Sequence, residues 1–183
     1  MLTALTTPLI YPLALLAATP TFNLLVPDGF ISLSKRDSST LAVAGNFATG
    51  TPLSVQLVDP AALAKLLSSS APACDTGLLC EANAGALATA LAAYRDSQAA
   101  PSGYKSQVLP GSARLDGGKL TFEMVLALAT GAATDPELQR RTGVAAIPVE
   151  DGWLCLWAGA KGNNWDAGEG VALQRSVAAF ALQ

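Results

Sequence analysis

Residues 152–165 read GWLCLWAGAKGNNW, and the two-residue period of this stretch sets the fold class. Trp153, Cys155 and Trp157 occupy alternate positions, so one face of a strand carries all three. Leu154 and Leu156 lie between them, so the opposite face is apolar too. A strand apolar on both sides belongs inside a layered structure, with helices covering the sheet above and below. In that position Cys155 is a buried, inert thiol, and the tryptophans are core rather than an aromatic or redox site. Trp165 follows a gap rich in glycine and asparagine and anchors the start of a final helix.

Working outward, TGVAAIPVE precedes this strand and forms a hairpin with it across Glu150-Asp151-Gly152. Further upstream, Asp116-Gly117-Gly118 is a second hairpin signal. In its second arm Leu120, Phe122, Met124, Leu126 and Leu128 share the core face, while Thr121, Glu123, Val125 and Ala127 share the other. Glu123 is a carboxylate in mid-strand. It is read as facing solvent or pairing with an arginine, in preference to a buried base. Earlier strands are expected at 22–26, 30–34, 41–47 and 53–58. Asp59-Pro60 opens a short helix, AALAKLL, with aspartate as N-cap and proline at the first helical position. The spacing predicts a long helix over 81–98, with Leu87, Leu91 and Tyr94 as its core stripe. Another is predicted over 166–182, with Leu173, Val177 and Phe180 facing inward. Asn164 or Asp166 is its expected cap, and Glu169 suits the positive end of its dipole. The fold class is α+β, helices packed on an antiparallel sheet. The expected core comprises Phe22, Phe47, Phe122, Trp153, Cys155, Trp157, Trp165 and Phe180.

Composition narrows function mainly by exclusion. The 183 residues are 51% hydrophobic with mean hydropathy +0.38. Only 14% are charged, against about 25% in an ordinary soluble domain. Basic residues are scattered apart from Lys35-Arg36 and Arg140-Arg141, and the net charge is −3. No basic stripe exists for nucleic acid. The chain has no histidine, which removes histidine-dependent triads, histidine metal ligands and the usual proton shuttle. GAKGNN at 159–164 fits neither GxxxxGK[ST] nor GxGxxG. Asp59, Asp75, Asp135, Glu137, Asp166 and Glu169 lack calcium-loop spacing, which leaves weak surface cation binding at most. No residue is nominated as catalytic, cofactor-binding or metal-ligating.

Residues 1–27 carry no charge. The apolar run at 13–18, interrupted by Pro8, Pro12 and Pro20, is too short to span a bilayer. It resembles the apolar part of an export signal without its basic prelude, or else an apolar arm. Cys74 and Cys80, in APACDTGLLC, are close enough to close a small loop. An exported protein can hold them as a disulfide, and three reduced thiols are the alternative. The spacing is not CxxC, so a redox signal is weak.

Four segments together carry a family resemblance: FNLLVPDGF at 22–30, LAVAGNFATGTPLSVQLV at 41–58, RRTGVAAIPVEDGWLCLWAGA at 140–160, and NNW…LQRSVAAFAL ending at 182. In that order and spacing they resemble the PsbP family of thylakoid lumen proteins. The resemblance implies an α-β-α sandwich around a central antiparallel sheet, the PsbP/Mog1-like fold. Residues 21–183 would form this domain, with 1–20 as a targeting remnant or apolar arm. It implies a non-enzymatic protein, peripheral to the thylakoid membrane on the lumenal side of a chloroplast. The implied partner is photosystem II or I, or the NDH-like complex, served as an extrinsic subunit or an assembly factor. Some members help retain calcium and chloride at the oxygen-evolving complex, so weak calcium binding is implied, with no cofactor in the chain itself. The apolar N-terminal stretch and the lack of histidine depart from the photosystem II subunit and argue against direct ion retention. The competing readings are a thiol-redox protein using Cys74 and Cys80, and a small-ligand or cation binder using Trp153, Trp157 or Trp165.

Overall fold

The hairpin across Glu150-Asp151 is the centre of the sheet. Its arms are β8 (Arg140–Val149) and β9 (Gly152–Lys161), with Val149 opposite Gly152. The structure is a computed structural model that describes residues 19–35, 37–67, 80–98, 104–128 and 139–183. The expected 1–20 segment therefore falls almost wholly outside the described residues.

The other strands flank this hairpin. β2 (Ile31–Ser32), β3 (Thr40–Asn46) and β4 (Thr51–Val58) lie on one side, and β7 (Lys119–Leu128) and β5 (Tyr104–Val108) on the other. The order is β2-β3-β4-β9-β8-β7-β5, antiparallel throughout, with β6 (Arg114–Asp116) also paired to β7. Asp116 sits opposite Lys119, so Gly117-Gly118 is the tight turn that the Asp-Gly-Gly signal predicts. A separate two-stranded ribbon joins β1 (Phe22–Asn23) to β10 (Ala181–Leu182), at the two ends of the described chain.

Helices cover both faces. On one, Trp153, Cys155, Trp157, Phe122 and Met124 pack beneath Leu87 and Leu91 of α2 (Glu81–Gln98) and Leu63 of α1 (Pro60–Leu66). On the other, Leu53, Val55, Leu154 and Leu156 pack against Trp165, Leu173, Val177 and Phe180 of the C-terminal segment. Every residue from Gly152 to Ala160 is buried. Complete burial of Leu154 and of Leu156 contributes about 1.5–3 kcal/mol each. The α-β-α layering thus follows from the alternation Trp-Leu-Cys-Leu-Trp, which supplies apolar groups to both layers at once. Asp59 caps α1 as expected, its carboxylate accepting from the Ala61 N–H at 2.9 Å.

Three expectations are corrected. Phe47 is not core: it is 74% exposed, just beyond the end of β3, where the chain turns towards β4. Once the strand stops at Asn46, residue 47 is released from the alternation that would have turned it inward. The last helix is not continuous over 166–182. A single turn, α3 (Gly162–Asn164), runs into a π-helical turn at Trp165–Glu169, and only then into α4 (Gly170–Ala179). Gly168, at φ +113°, has left the helical region, and that break is what the periodicity conceals. Phe180 then exits in an extended conformation and buries its ring, sending 181–182 into the ribbon with β1. Neither proposed cap acts as one, and Asp166 lies inside the π-helical turn rather than ahead of it. Asn164 makes no capping bond with its side chain and donates instead to the Thr49 carbonyl at 3.4 Å. The Glu169 carboxylate accepts from the Thr49 and Thr51 hydroxyls at 2.7 Å each, tying the helix to the β3–β4 turn.

Candidate functional site

The tryptophan strand is scaffold. Trp153, Cys155 and Trp157 are buried in the layer beneath α2, and burial pushes the Cys155 thiol far above its ordinary pKa. A thiol held neutral in an apolar layer is neither nucleophile nor ligand. Phe122, Trp165 and Phe180 are buried as expected, and Phe22 is half-buried against the Phe180 ring, with centroids 5.8 Å apart. Cys80 is disulfide-bonded and Cys155 is a free thiol, while Cys74 lies outside the described residues.

The face beneath α4 holds a polar cluster. Outward alternation along β7 points Glu123 at β8, where Arg141 meets it. The Glu123 carboxylate accepts from Arg141 Nη2 at 2.8 Å and Nε at 3.1 Å, and from Gln174 Nε2 of α4 at 2.8 Å. The Arg141 guanidinium lies over the Trp165 ring, 5.4 Å from its centroid, and reaches within 3.8 Å of Asp166. Two clefts flank the pair. One of about 230 Å³ is lined by Ser112, Thr121, Glu123 and Gln174. The other, about 350 Å³, is lined by Leu109, Val125, Gln139, Arg141, Asn163 and Asp166. The cluster sits beside the π-helical turn, a feature frequent at functional sites. The Glu123 carboxylate is thus already shared by a guanidinium and an amide. The arginine partner of Glu123 was foreseeable in kind. Gln174 was not, because its approach depends on how α4 lies across the sheet. No group of three or more acidic or cysteine side chains able to hold a metal ion occurs among the described residues.

A second surface is apolar. Leu25, Val26, Ile31 and Phe47 are large side chains left exposed. Ile31 pairs with Gly45, two residues before Phe47, so Ile31 and Phe47 lie along one rim at the β2–β3 edge. β2 is only two residues long and, with the Leu33 N–H donating to the Val43 carbonyl, meets β3 over residues 43–45. Among the described residues no helix is long and apolar enough to cross a membrane.

No family model matches the chain, and no curated protein matches it in sequence. Solved structures do match in fold. The solution structure of cyanobacterial PsbP (CyanoP) from Synechocystis sp. PCC 6803 aligns with TM-score 0.57 and 13% identity, over 88% of this chain and 86% of that one. The Ran-binding protein Mog1p of Saccharomyces cerevisiae aligns with TM-score 0.53 and 14% identity, over 88% and 90%. A mutant of protein Mog1 aligns with TM-score 0.51 and 16% identity, over 88% and 90%. The chain therefore has the PsbP/Mog1-like fold, and at these identities the likeness is one of fold.

Proposed function

We propose that this chain is a non-enzymatic docking protein of the thylakoid lumen. It attaches to a photosynthetic membrane complex, photosystem II or I or the NDH-like complex, as an extrinsic subunit or assembly factor. The observation that carries docking is the exposed apolar rim of Ile31 and Phe47, with Leu25 and Val26 exposed as well, on a chain poor in charge. An apolar patch on a folded surface stabilises association when a partner covers it. The likeness in fold to cyanobacterial PsbP, together with the sequence resemblance, supports the photosynthetic partner. The disulfide at Cys80 suits an oxidising compartment such as the lumen. The role needs no resident cofactor, and calcium contacts the protein only weakly, through surface carboxylates. A second reading, docking on a soluble protein, is favoured by the fold shared with Ran-binding Mog1p.

The test is affinity purification of tagged protein from mildly solubilised thylakoids, with the co-purifying subunits identified. Recovery of photosystem or NDH-like subunits with the unmodified chain, and their loss with Ile31→Ser/Phe47→Ser, supports the proposal. Recovery of soluble proteins alone favours the second reading.

A further inference from the structure

Strand β9 carries one donor left unpaired. Trp157 Nε1 and Arg95 Nη1 are both buried, and neither has a hydrogen-bond partner among the described residues. They sit together: the Arg95 guanidinium carbon lies 4.8 Å from the Trp157 ring centroid. The neighbouring acid, Asp96, attracts the cation through its charge but accepts no hydrogen bond from Arg95 Nη1. Asp96 already accepts from the Ser106 N–H at 2.8 Å and hydroxyl at 2.7 Å, which turns its charge towards β5. Arg140 adds a like charge. Alternation along β8 puts Arg140 on the face of Val144 and Ala146, with Lys161 directly opposite it on β9. Arg140 spends one nitrogen on the Gly50 carbonyl at 3.3 Å. Burial, reinforced by the Arg140 charge against the opposing pull of Asp96, lowers the Arg95 pKa to about 10. The side chain is thus still charged at neutral pH, when no acceptor within the described residues meets it.

Buried donors are almost always paired. Two orphan donors side by side, one of them cationic and with the like charge of Arg140 acting on it, call for an acceptor of negative charge. We propose that Arg95 and Trp157 form a buried site for a small oxyanion of carboxylate size, bridging the guanidinium and the indole N–H. The clefts on the α4 face and beside the β1–β10 ribbon are lined by other residues, so they do not lead to this pair. The burial of Trp157 Nε1 and Arg95 Nη1 favours an ion a few atoms across over a side chain presented by a macromolecule. A planar carboxylate can set one oxygen against Arg95 Nη1 and the other against the indole N–H. The site is on the α2 face and owes nothing to the apolar rim, so it stands apart from the docking proposal.

Sodium formate is the probe, titrated against sodium chloride at constant ionic strength, with inorganic phosphate as the larger oxyanion. The readouts are the melting temperature and the indole N–H resonance of Trp157, assigned by its loss in Trp157→Phe. The expected result is a saturable shift of that resonance and a saturable rise in melting temperature with formate, both weaker with phosphate. Arg95→Met abolishes the response, and Trp157→Phe weakens the midpoint about tenfold, the worth of one hydrogen bond to a charged group. Should Arg95→Met not fold, Arg95→Lys keeps the charge but loses the fork, and it must also weaken the response. An indole resonance unmoved by formate, or an equal melting response in the Arg95 variants, overturns the proposal.

Discussion

Single atoms decide how tightly the central hairpin closes. Gly152 sits at φ +145°, and a Cβ there would stand 2.2 Å from the Val58 carbonyl oxygen. Backbone cannot retreat as a flexible side chain can, since Val58 is itself paired with Trp153. Gly152→Ala is therefore expected to destabilise the fold by about 3 kcal/mol or more, through strain and a backbone clash together, measured by urea denaturation. Cys155 gives a second residue-scale expectation. Burial raises its pKa in the folded state above the ordinary value of about 9. Its contribution to stability is thus intact below pH 9, where the thiol is neutral folded or unfolded. Above that pH only the unfolded chain ionises readily, and stability falls as pH rises. Denaturation midpoints followed from pH 8 upward should drop more steeply for the natural chain than for Cys155→Ala. In the native state Cys155 should resist alkylation until the protein is unfolded.

At the scale of elements, strands were legible where alternation met a recognised turn. Asp116-Gly117-Gly118 and Glu150-Asp151-Gly152 fixed both hairpins, because tight turns demand particular residues at particular places. Phe47 failed because alternation says which side a residue faces only while the strand lasts. The last helix failed for a different reason. Its apolar spacing is satisfied across Gly168 even though the backbone there is not helical, so periodicity passes through the break unseen. What shapes that segment is tertiary: Trp165 folds back against Gly170. A Cβ on Gly170 would stand 2.7–2.8 Å from the indole. Gly170→Ala should cost about 1–3 kcal/mol by overpacking, with Trp165 emission shifting red as the ring is displaced. The polar cluster was half legible for the same cause. A mid-strand carboxylate beside a strand bearing Arg141 invites a pair, but Gln174 joins only through the path of α4. A double-mutant cycle on Glu123 and Arg141 should give a coupling of about 1 kcal/mol or less, because both side chains remain partly exposed.

For the whole molecule, the division between what holds the fold and what offers itself to a partner falls along burial. Both faces of the sheet are closed by helices, so a partner cannot reach the core without unfolding it. What remains is the rim at β2–β3, where Ile31 is 54% and Phe47 74% exposed. The sequence could not mark this rim, since an exposed phenylalanine reads like a buried one until the strand end is known. Because Phe47 contributes little to the fold, Phe47→Ser should change unfolding stability by no more than about 0.5 kcal/mol. Adding Ile31→Ser should behave alike, since its side chain also faces solvent. Against the partner the same pair should be costly. An aromatic anchor and its aliphatic neighbour at the centre of a contact are worth about 2 kcal/mol, or roughly thirtyfold in affinity. Thermal denaturation of the isolated variant and its retention on solubilised thylakoid complexes separate the two effects. Equal melting with lost retention places docking on this rim. Lost melting would show that the side chains support the fold, and undiminished retention would move the contact elsewhere, with the Arg141 clefts the next surface to vary.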